Sequence, residues 1–147
     1  MTGSGVEVDR EVWQALEAGL LDGDWLTALQ ENRRLLARFP DSPGVAIGMG
    51  ICQFYRREFL ECIEWMDRAA RLRSRAAAGQ MAAIPAVHLF RGLAYAAKRR
   101  PAAARADLEQ LKAFGPTPIQ WDRISEVLRG DELVRARFAA EDSGLLT

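Results

Sequence analysis

Two cysteines and one histidine are the side chains in this sequence best suited to redox, nucleophilic or metal chemistry. They are Cys52, Cys62 and His88. The cysteines lack metal-ligand spacing, and a single histidine supplies too few groups for a zinc site or a His-based triad. We therefore expect Cys52 and Cys62 to be buried, reduced thiols. His88 sits in an apolar segment, where we expect it to pack or to cap a helix.

The usual sequence patterns of catalysis are also missing. The chain has no phosphate-binding glycine loop, no nucleophile motif and no carboxylate pair spaced for acid–base work. The sequence therefore predicts a protein that is not an enzyme and that carries no cofactor or metal. Its function is expected to be binding.

Composition indicates one soluble domain. The chain has 147 residues, of which 49% are apolar and 27% charged, and its 20 basic and 20 acidic residues cancel. No apolar run reaches the roughly 18 residues of a membrane span, and the N-terminus lacks the basic and apolar regions of a secretory signal. We expect a cytoplasmic protein that does not bind membranes, with disorder over residues 1–8.

A shift of 34 residues aligns side chains of matching size. Trp25 then falls on Phe59, and Ala28 falls on Cys62. A repeat of this length indicates a pair of antiparallel helices, with small residues where the two helices cross.

Three segments resemble tetratricopeptide repeats. Each has a small residue at the position of the helix crossing: Ala28, Cys62 and Ala104. The first contains GDWLTAL from Gly23 and closes at Pro40, and the third contains GLAY from Gly92. The departures are Leu16, where the family has a small residue, Ser74 in place of the second closing proline, and about eight inserted residues at 74–81.

Local signals place the helices that carry these residues near 9–21, 25–38, 43–56, 59–73, 82–98, 102–113, 118–129 and 131–140. Ser42-Pro43 is an N-cap followed by a first-turn proline, and Pro101 fits the same position of a later helix. The fold class is therefore all-α. The resemblance implies a right-handed superhelix of three repeats (9–42, 43–81 and 82–116) followed by a C-terminal capping helix and tail (117–147). Whether residues 74–81 form helix or loop stays open.

The resemblance also implies a peptide-binding groove lined by the first helix of each repeat. The groove-facing positions carried onto this chain are Trp13, Leu20, Ile47, Ile51, Phe54, Tyr55, Leu89 and Leu93. Such an apolar lining suits an extended segment of another protein. A second interpretation stays open for Phe54 and Tyr55, because helix-spaced apolar residues also form cores, here closed over by the C-terminal helix.

Tetratricopeptide adaptors that grip a C-terminal carboxylate carry Lys, Asn and Arg at five groove positions. This sequence has Trp13, Glu17, Gly48, Ala86 and Phe90 there. A free carboxylate would meet no set of donors at these positions.

One subfamily resembles the chain more closely. The stretch GMGICQ at residues 48–53, with Phe59 and Ile63, is similar to the second repeat of the class II chaperones of type III secretion systems, and IPAVH at residues 84–88 is similar to the start of their third. This resemblance implies a small cytoplasmic chaperone that holds a secreted translocator or needle component. A general scaffold or assembly adaptor stays the alternative.

Charge is unevenly distributed along the chain. Residues 50–112 carry twelve basic and six acidic side chains (+6), residues 1–49 carry four and eight (−4), and residues 113–147 carry four and six (−2). An RNA-binding helical repeat is therefore a third alternative. The inner positions are aliphatic and offer few stacking platforms for bases, so nucleic acid is disfavoured.

Trp65 is the remaining residue with an implied role. It occupies a repeat position that carries Glu31 and Asp107 in the other two repeats and that faces outward in the family. We expect Trp65 to be covered by residues 74–81 or by a second chain. A homodimer with Trp65 as a second interface follows from the latter case.

Overall fold

The computed structural model describes residues 5–73, 84–114 and 119–145. This part of the chain contains no strand and eight helices: α1 (Gly5–Asp22), α2 (Trp25–Arg38), α3 (Pro43–Tyr55), α4 (Phe59–Arg73), α5 (Ile84–Ala97), α6 (Pro101–Lys112), α7 (Trp121–Val127) and α8 (Asp131–Asp142). The predicted all-α class is confirmed. None of the described helices combines the length and the apolar character that a membrane span requires.

The helix ends follow the sequence signals closely. The Ser42 hydroxyl accepts the Val45 N–H at 3.3 Å, and Pro43 and Pro101 begin α3 and α6 as predicted. Helix α7 is shorter than expected, because Gln120 and Leu128 leave the helical conformation. The predicted insertion at residues 74–81 lies outside the described residues.

The N-terminus differs from the expectation of disorder over residues 1–8. Helix α1 begins at Gly5. Val8 and Val12, four residues apart on one face of α1, are both buried, and burial of this face stabilises the helix toward the N-terminus. Residues 1–4 lie outside the described residues.

Consecutive helices pack as three pairs, α1 with α2, α3 with α4, and α5 with α6. The predicted crossing residues have no exposed surface in any pair: Ala28, Cys62 and Ala104. A Cβ atom on Gly50 would lie 2.7 Å from Met66, and one on Gly92 would lie 3.1 Å from Leu108. Small residues therefore allow the close crossing in the second and third pairs, as the sequence predicts.

In the first pair, the small residue of the first helix lies one turn later than in the other two pairs. Leu16, which occupies the position of Gly50 and Gly92, is buried. The close approach occurs instead at Gly19, where a Cβ atom would lie 2.3 Å from the Trp25 ring. Gly19 therefore leaves room for the Trp25 ring at the start of α2.

The turn within each pair carries one residue with left-handed backbone. These residues are Gly23, Arg57 and Arg99, with φ of 70°, 62° and 61°. Their separations of 34 and 42 residues match those of the crossing residues. The Arg57 and Arg99 turns also share a closing hydrogen bond, from Glu58 N–H to Gln53 O at 2.8 Å and from Arg100 N–H to Tyr95 O at 2.9 Å. Left-handed backbone costs a non-glycine residue about 1–2 kcal/mol.

The two arginines differ in what their side chains contact. The Arg57 guanidinium donates to the Val127 carbonyl and to both carboxylate oxygens of Glu132, at 2.8 and 3.0 Å. It thereby holds the α7–α8 junction against the α3–α4 turn. Arg135 of α8 in turn donates to two carbonyls at the end of α5, each at 3.0 Å. Arg99 makes no side-chain hydrogen bond or ion pair within the described ranges.

Replacing each arginine by glycine separates strain from contact. Both substitutions relieve left-handed backbone, but only Arg57→Gly removes bonds to Glu132 and Val127. We expect Arg57→Gly to lower the free energy of unfolding by about 1 kcal/mol. Arg99→Gly should leave it unchanged or raise it by up to about 1 kcal/mol. Urea denaturation of dilute protein measures both values, and equal changes in the two variants would contradict a stabilising role of the Arg57 contacts.

Candidate functional site

Two small cavities lie along the first helices of the pairs. The first, called here the α1–α3 cavity, has a volume of about 150 Å³ and is lined by Asp9, Val12, Trp13, Leu16, Gly44, Ile47, Ile51 and Ala86. The second, the Tyr55 cavity, has a volume of about 240 Å³ and is lined by Gly19, Leu20, Leu21, Gly23, Trp25, Tyr55, Arg123 and Glu126. Each is too small to enclose more than one or two side chains of a ligand.

The structure brings several predicted groove residues together. Trp13, Ile47 and Ile51 meet in the α1–α3 cavity, and Leu20 and Tyr55 meet in the Tyr55 cavity. Ile47 and Ile51 are buried, so only an edge of each reaches the cavity surface. Trp13 is 61% exposed and is the most accessible of these residues.

Other predicted groove residues belong to the core. Leu93 is fully buried, and Leu89 is half-buried against the core. Neither lines the two cavities. In this arrangement Leu93 has no surface to offer a partner, which corrects its placement in the groove.

Phe54, one of the predicted groove residues, has an exposed fraction of 0%. Its ring makes edge contacts with Tyr55, Phe59 and Phe90, with centroids 5.2 to 5.6 Å apart. Aromatic rings prefer this geometry in cores. Of the two interpretations left open by the sequence, the core interpretation holds for Phe54.

Tyr55 lies at the boundary between core and surface. Its ring is half-buried and stacks on Trp25, with centroids 4.2 Å apart and planes 4° from parallel. Arg123 and Glu126 of α7 line the same cavity, so the C-terminal region partly covers this end of the predicted groove. Burial raises the pKa of the Tyr55 phenol.

The accessible apolar surface of the predicted groove lies on α1. Trp13 and Leu21 are both exposed, and Leu20 beside them is half-buried. Leu20 lies about two turns after Trp13 on nearly the same side of α1, and Leu21 is rotated from Leu20 by about 100°. We call Trp13, Leu20 and Leu21 the α1 stripe.

Asp9 adds a charge next to this stripe. Its carboxylate lies beside Gly44, where a Cβ atom would be 2.3 Å from Oδ1. Burial raises the pKa of Asp9, and the described residues supply no ion pair to offset that burial. A ligand that places a cation here would stabilise the charged carboxylate.

Trp65 is half-buried, and its ring lies 5.7 Å from the guanidinium of Arg68. Arg68 therefore supplies part of its cover through a cation–π contact. The predicted cover by residues 74–81 lies outside the described residues.

A polar network that no sequence pattern predicted links α4, α5 and α6. Arg91 donates to Asp107 through Nε at 2.9 Å and through NH2 at 2.7 Å, and to Asp67 through NH1 at 3.0 Å. Asp107 was expected to face outward but is 5% exposed. Burial by itself lowers the pKa of Arg91, but the bonds to Asp107 and Asp67 outweigh it and raise that pKa. The sequence signal for this network was the presence of two polar residues, His88 and Arg91, on a largely apolar helix.

His88 joins the same network, with Nδ1 2.9 Å from Asp107 Oδ1. A carboxylate on Nδ1 also orients catalytic histidines. In the described part of the chain, however, no hydroxyl or thiol hydrogen-bonds to His88. The contact indicates that the histidine helps to satisfy a buried carboxylate.

The two cysteines are fully buried, as predicted. Burial raises the pKa of the Cys52 thiol to about 12. It raises the pKa of Cys62 as well. Both thiols are buried and stay protonated near neutral pH. Cys52 and Cys62 therefore act as small apolar residues.

Truncation of Phe54 tests its assignment to the core. We expect Phe54→Ala to lower the free energy of unfolding by about 3–5 kcal/mol, because it removes a fully buried ring and leaves a cavity. Thermal and urea denaturation followed by circular dichroism measure the loss. An unchanged stability would show that Phe54 is not a core residue.

Neutralising Asp107 tests the polar network. We expect Asp107→Asn to lower the free energy of unfolding by about 3 kcal/mol, because it leaves the Arg91 charge buried and poorly paired. Glu109→Gln on the same helix is the matched control, since Glu109 pairs with Arg105 on the surface and its loss should change stability little. Similar losses in both variants would contradict a special role for Asp107.

No family model matches the chain, and no curated protein matches it. The observations that bear on function are therefore geometric. They are three helix pairs with matching crossing residues and turns, exposed apolar residues of the α1 stripe beside Asp9, and a core that contains half of the eight predicted groove residues.

Proposed function

We propose that the protein is a non-enzymatic protein-binding module, with the helix pairs stacked as a tetratricopeptide-like right-handed superhelix. The supporting observation is the regular recurrence of crossing residue and left-handed turn in all three pairs. In addition, the first helices contact each other in order, α1 with α3 and α3 with α5. Stacked pairs with these contacts present their first helices along one surface.

The binding surface in this proposal is the α1 stripe together with the α1–α3 cavity. Trp13 supplies a large exposed ring at the cavity, and Leu21 extends the apolar surface along α1. Exposed tryptophans beside small cavities are typical anchors of protein interfaces. The ligand is an extended or helical segment of another protein, with apolar side chains for the stripe and a Lys or Arg that reaches Asp9.

We further propose that the module acts as a cytoplasmic chaperone that keeps such a segment soluble, as type III secretion chaperones do for translocator or needle subunits. Support for this role is the resemblance of residues 48–53 to the second repeat of those chaperones. Residues 45–54 are all buried in α3, so the resemblance concerns helix packing rather than ligand contacts. A scaffold or assembly adaptor would use the same surface.

Site-specific photo-crosslinking tests the surface. A benzoylphenylalanine residue placed at Trp13 or, as the control, at Leu60 reports what each position contacts in the native cell. Leu60 is also an exposed large apolar residue, but it lies on α4, the second helix of its pair. We expect one protein to be captured at position 13 and not at position 60. Its identity, a secreted subunit or another protein, decides between chaperone and adaptor.

A peptide covering the crosslinked segment then allows the affinity to be measured. We expect Trp13→Ala to weaken its binding at least about tenfold, because a large anchor is lost, whereas Leu60→Ala should have no effect. Both variants should melt like the parent, since neither side chain is buried. Identical adducts at both positions, or unchanged affinity in Trp13→Ala, would contradict the proposal.

A further inference from the structure

A larger cavity, which shares no lining residue with the other two, lies between α8 and the α5–α6 turn. This α8 cavity has a volume of about 600 Å³ and is lined by Ala96, Arg99, Pro101, Arg105, Asp131, Val134, Arg135, Phe138, Ala139 and Asp142. Val134 and Phe138 lie one turn apart on α8 and are 65% and 64% exposed. Two large apolar side chains thus project to solvent beside an open apolar cavity, which is typical of an interface.

Most charges around the cavity are already paired. Arg105 contacts Glu109 at 2.8 Å and Asp142 at 3.2 Å, and Arg135 is bonded to the α5 carbonyls. Two charged side chains differ: Arg99 and Asp131 make neither an ion pair nor a side-chain hydrogen bond with any described residue, although both line the cavity. Among the described residues, the rim therefore carries one cation and one anion without a polar partner.

One such cation and one such anion on the same face allow a self-complementary contact. In an interface with twofold symmetry, if residue i of one copy contacts residue j of the other, then j also contacts i. Arg99 of each copy can then pair with Asp131 of the other. A foreign segment with charge of a single sign would satisfy only one of the two residues.

The chain itself contains a precedent for this pairing. Arg57 occupies the left-handed position of the α3–α4 turn and binds Glu132, in the first turn of α8. Arg99 occupies the equivalent position of the α5–α6 turn, and Asp131 precedes Glu132 in the same first turn of α8. A second copy of α8 would offer Arg99 the kind of carboxylate that Arg57 already holds within the chain.

We propose that the α8 face is a homodimer interface, in which Phe138 and Val134 of one copy pack into the α8 cavity of the other and Arg99 pairs with Asp131 across the twofold axis. One helix face and one turn make a small contact, below about 1,200 Å² in total, so the dimer is expected to be weak. This interface is separate from the α1 stripe. The dimer proposal therefore does not depend on the proposed function.

Analytical ultracentrifugation of the full chain tests the dimer. We expect a reversible monomer–dimer equilibrium between about 5 and about 500 µM protein. Phe138→Ser should weaken dimerisation at least about tenfold, whereas Leu60→Ser, which removes another exposed apolar residue, should leave it unchanged. A chain that stays monomeric up to the highest concentration, or a dimer unaffected by Phe138→Ser, would overturn the proposal.

Charge reversal identifies the pairing residues. Arg99→Asp and Asp131→Arg should each weaken self-association, because each places two like charges together at both symmetry-related contacts. An equimolar mixture of the two single variants should recover association, since the mixed dimer contains one Asp–Arg pair and one Arg–Asp pair. A mixture that associates no better than either variant alone would show that Arg99 and Asp131 do not pair between copies.

Discussion

The close crossing of two helices within each pair is the constraint on which the rest of the structure depends. It requires a side chain no larger than Ala or Cys at three positions, and all three are completely buried. In the second and third pairs the first helix also has a glycine, Gly50 or Gly92. Its backbone packs directly against Met66 or Leu108 of the second helix. The burial of Cys62 is a consequence of this geometry rather than of thiol chemistry.

Because each crossing is close, the turn that joins its helices must be short. A left-handed residue ends the first helix of every pair. Glycine meets this need without strain, but the second and third pairs use arginine. At Arg57 the strain is offset by contacts with the α7–α8 junction. The C-terminal helices are thus attached through Arg57, whose left-handed backbone belongs to the turn within the second pair.

Much of this architecture could be predicted from the sequence, because helix caps, first-turn prolines and small crossing residues are local signals. The predicted starts of α2, α3 and α4 coincide with the observed ones. The groove could be predicted only in part. Phe54 and Tyr55 are adjacent aromatic residues, yet Phe54 lies in the core and Tyr55 lies at its boundary. Their burial depends on Trp25, Phe90 and α7, which are distant in the chain.

The Asp67–Arg91–Asp107 network has a consequence for cooperativity. Asp67 belongs to the second pair, whereas Arg91 and Asp107 belong to the third. Separating the pairs would leave Arg91, whose side chain is 18% exposed, with one carboxylate fewer. Neighbouring repeats in many helical arrays open one at a time, with their coupling set by apolar interfaces. Here a guanidinium crosses the interface, so we expect an electrostatic contact to add to the coupling between the second and third pairs.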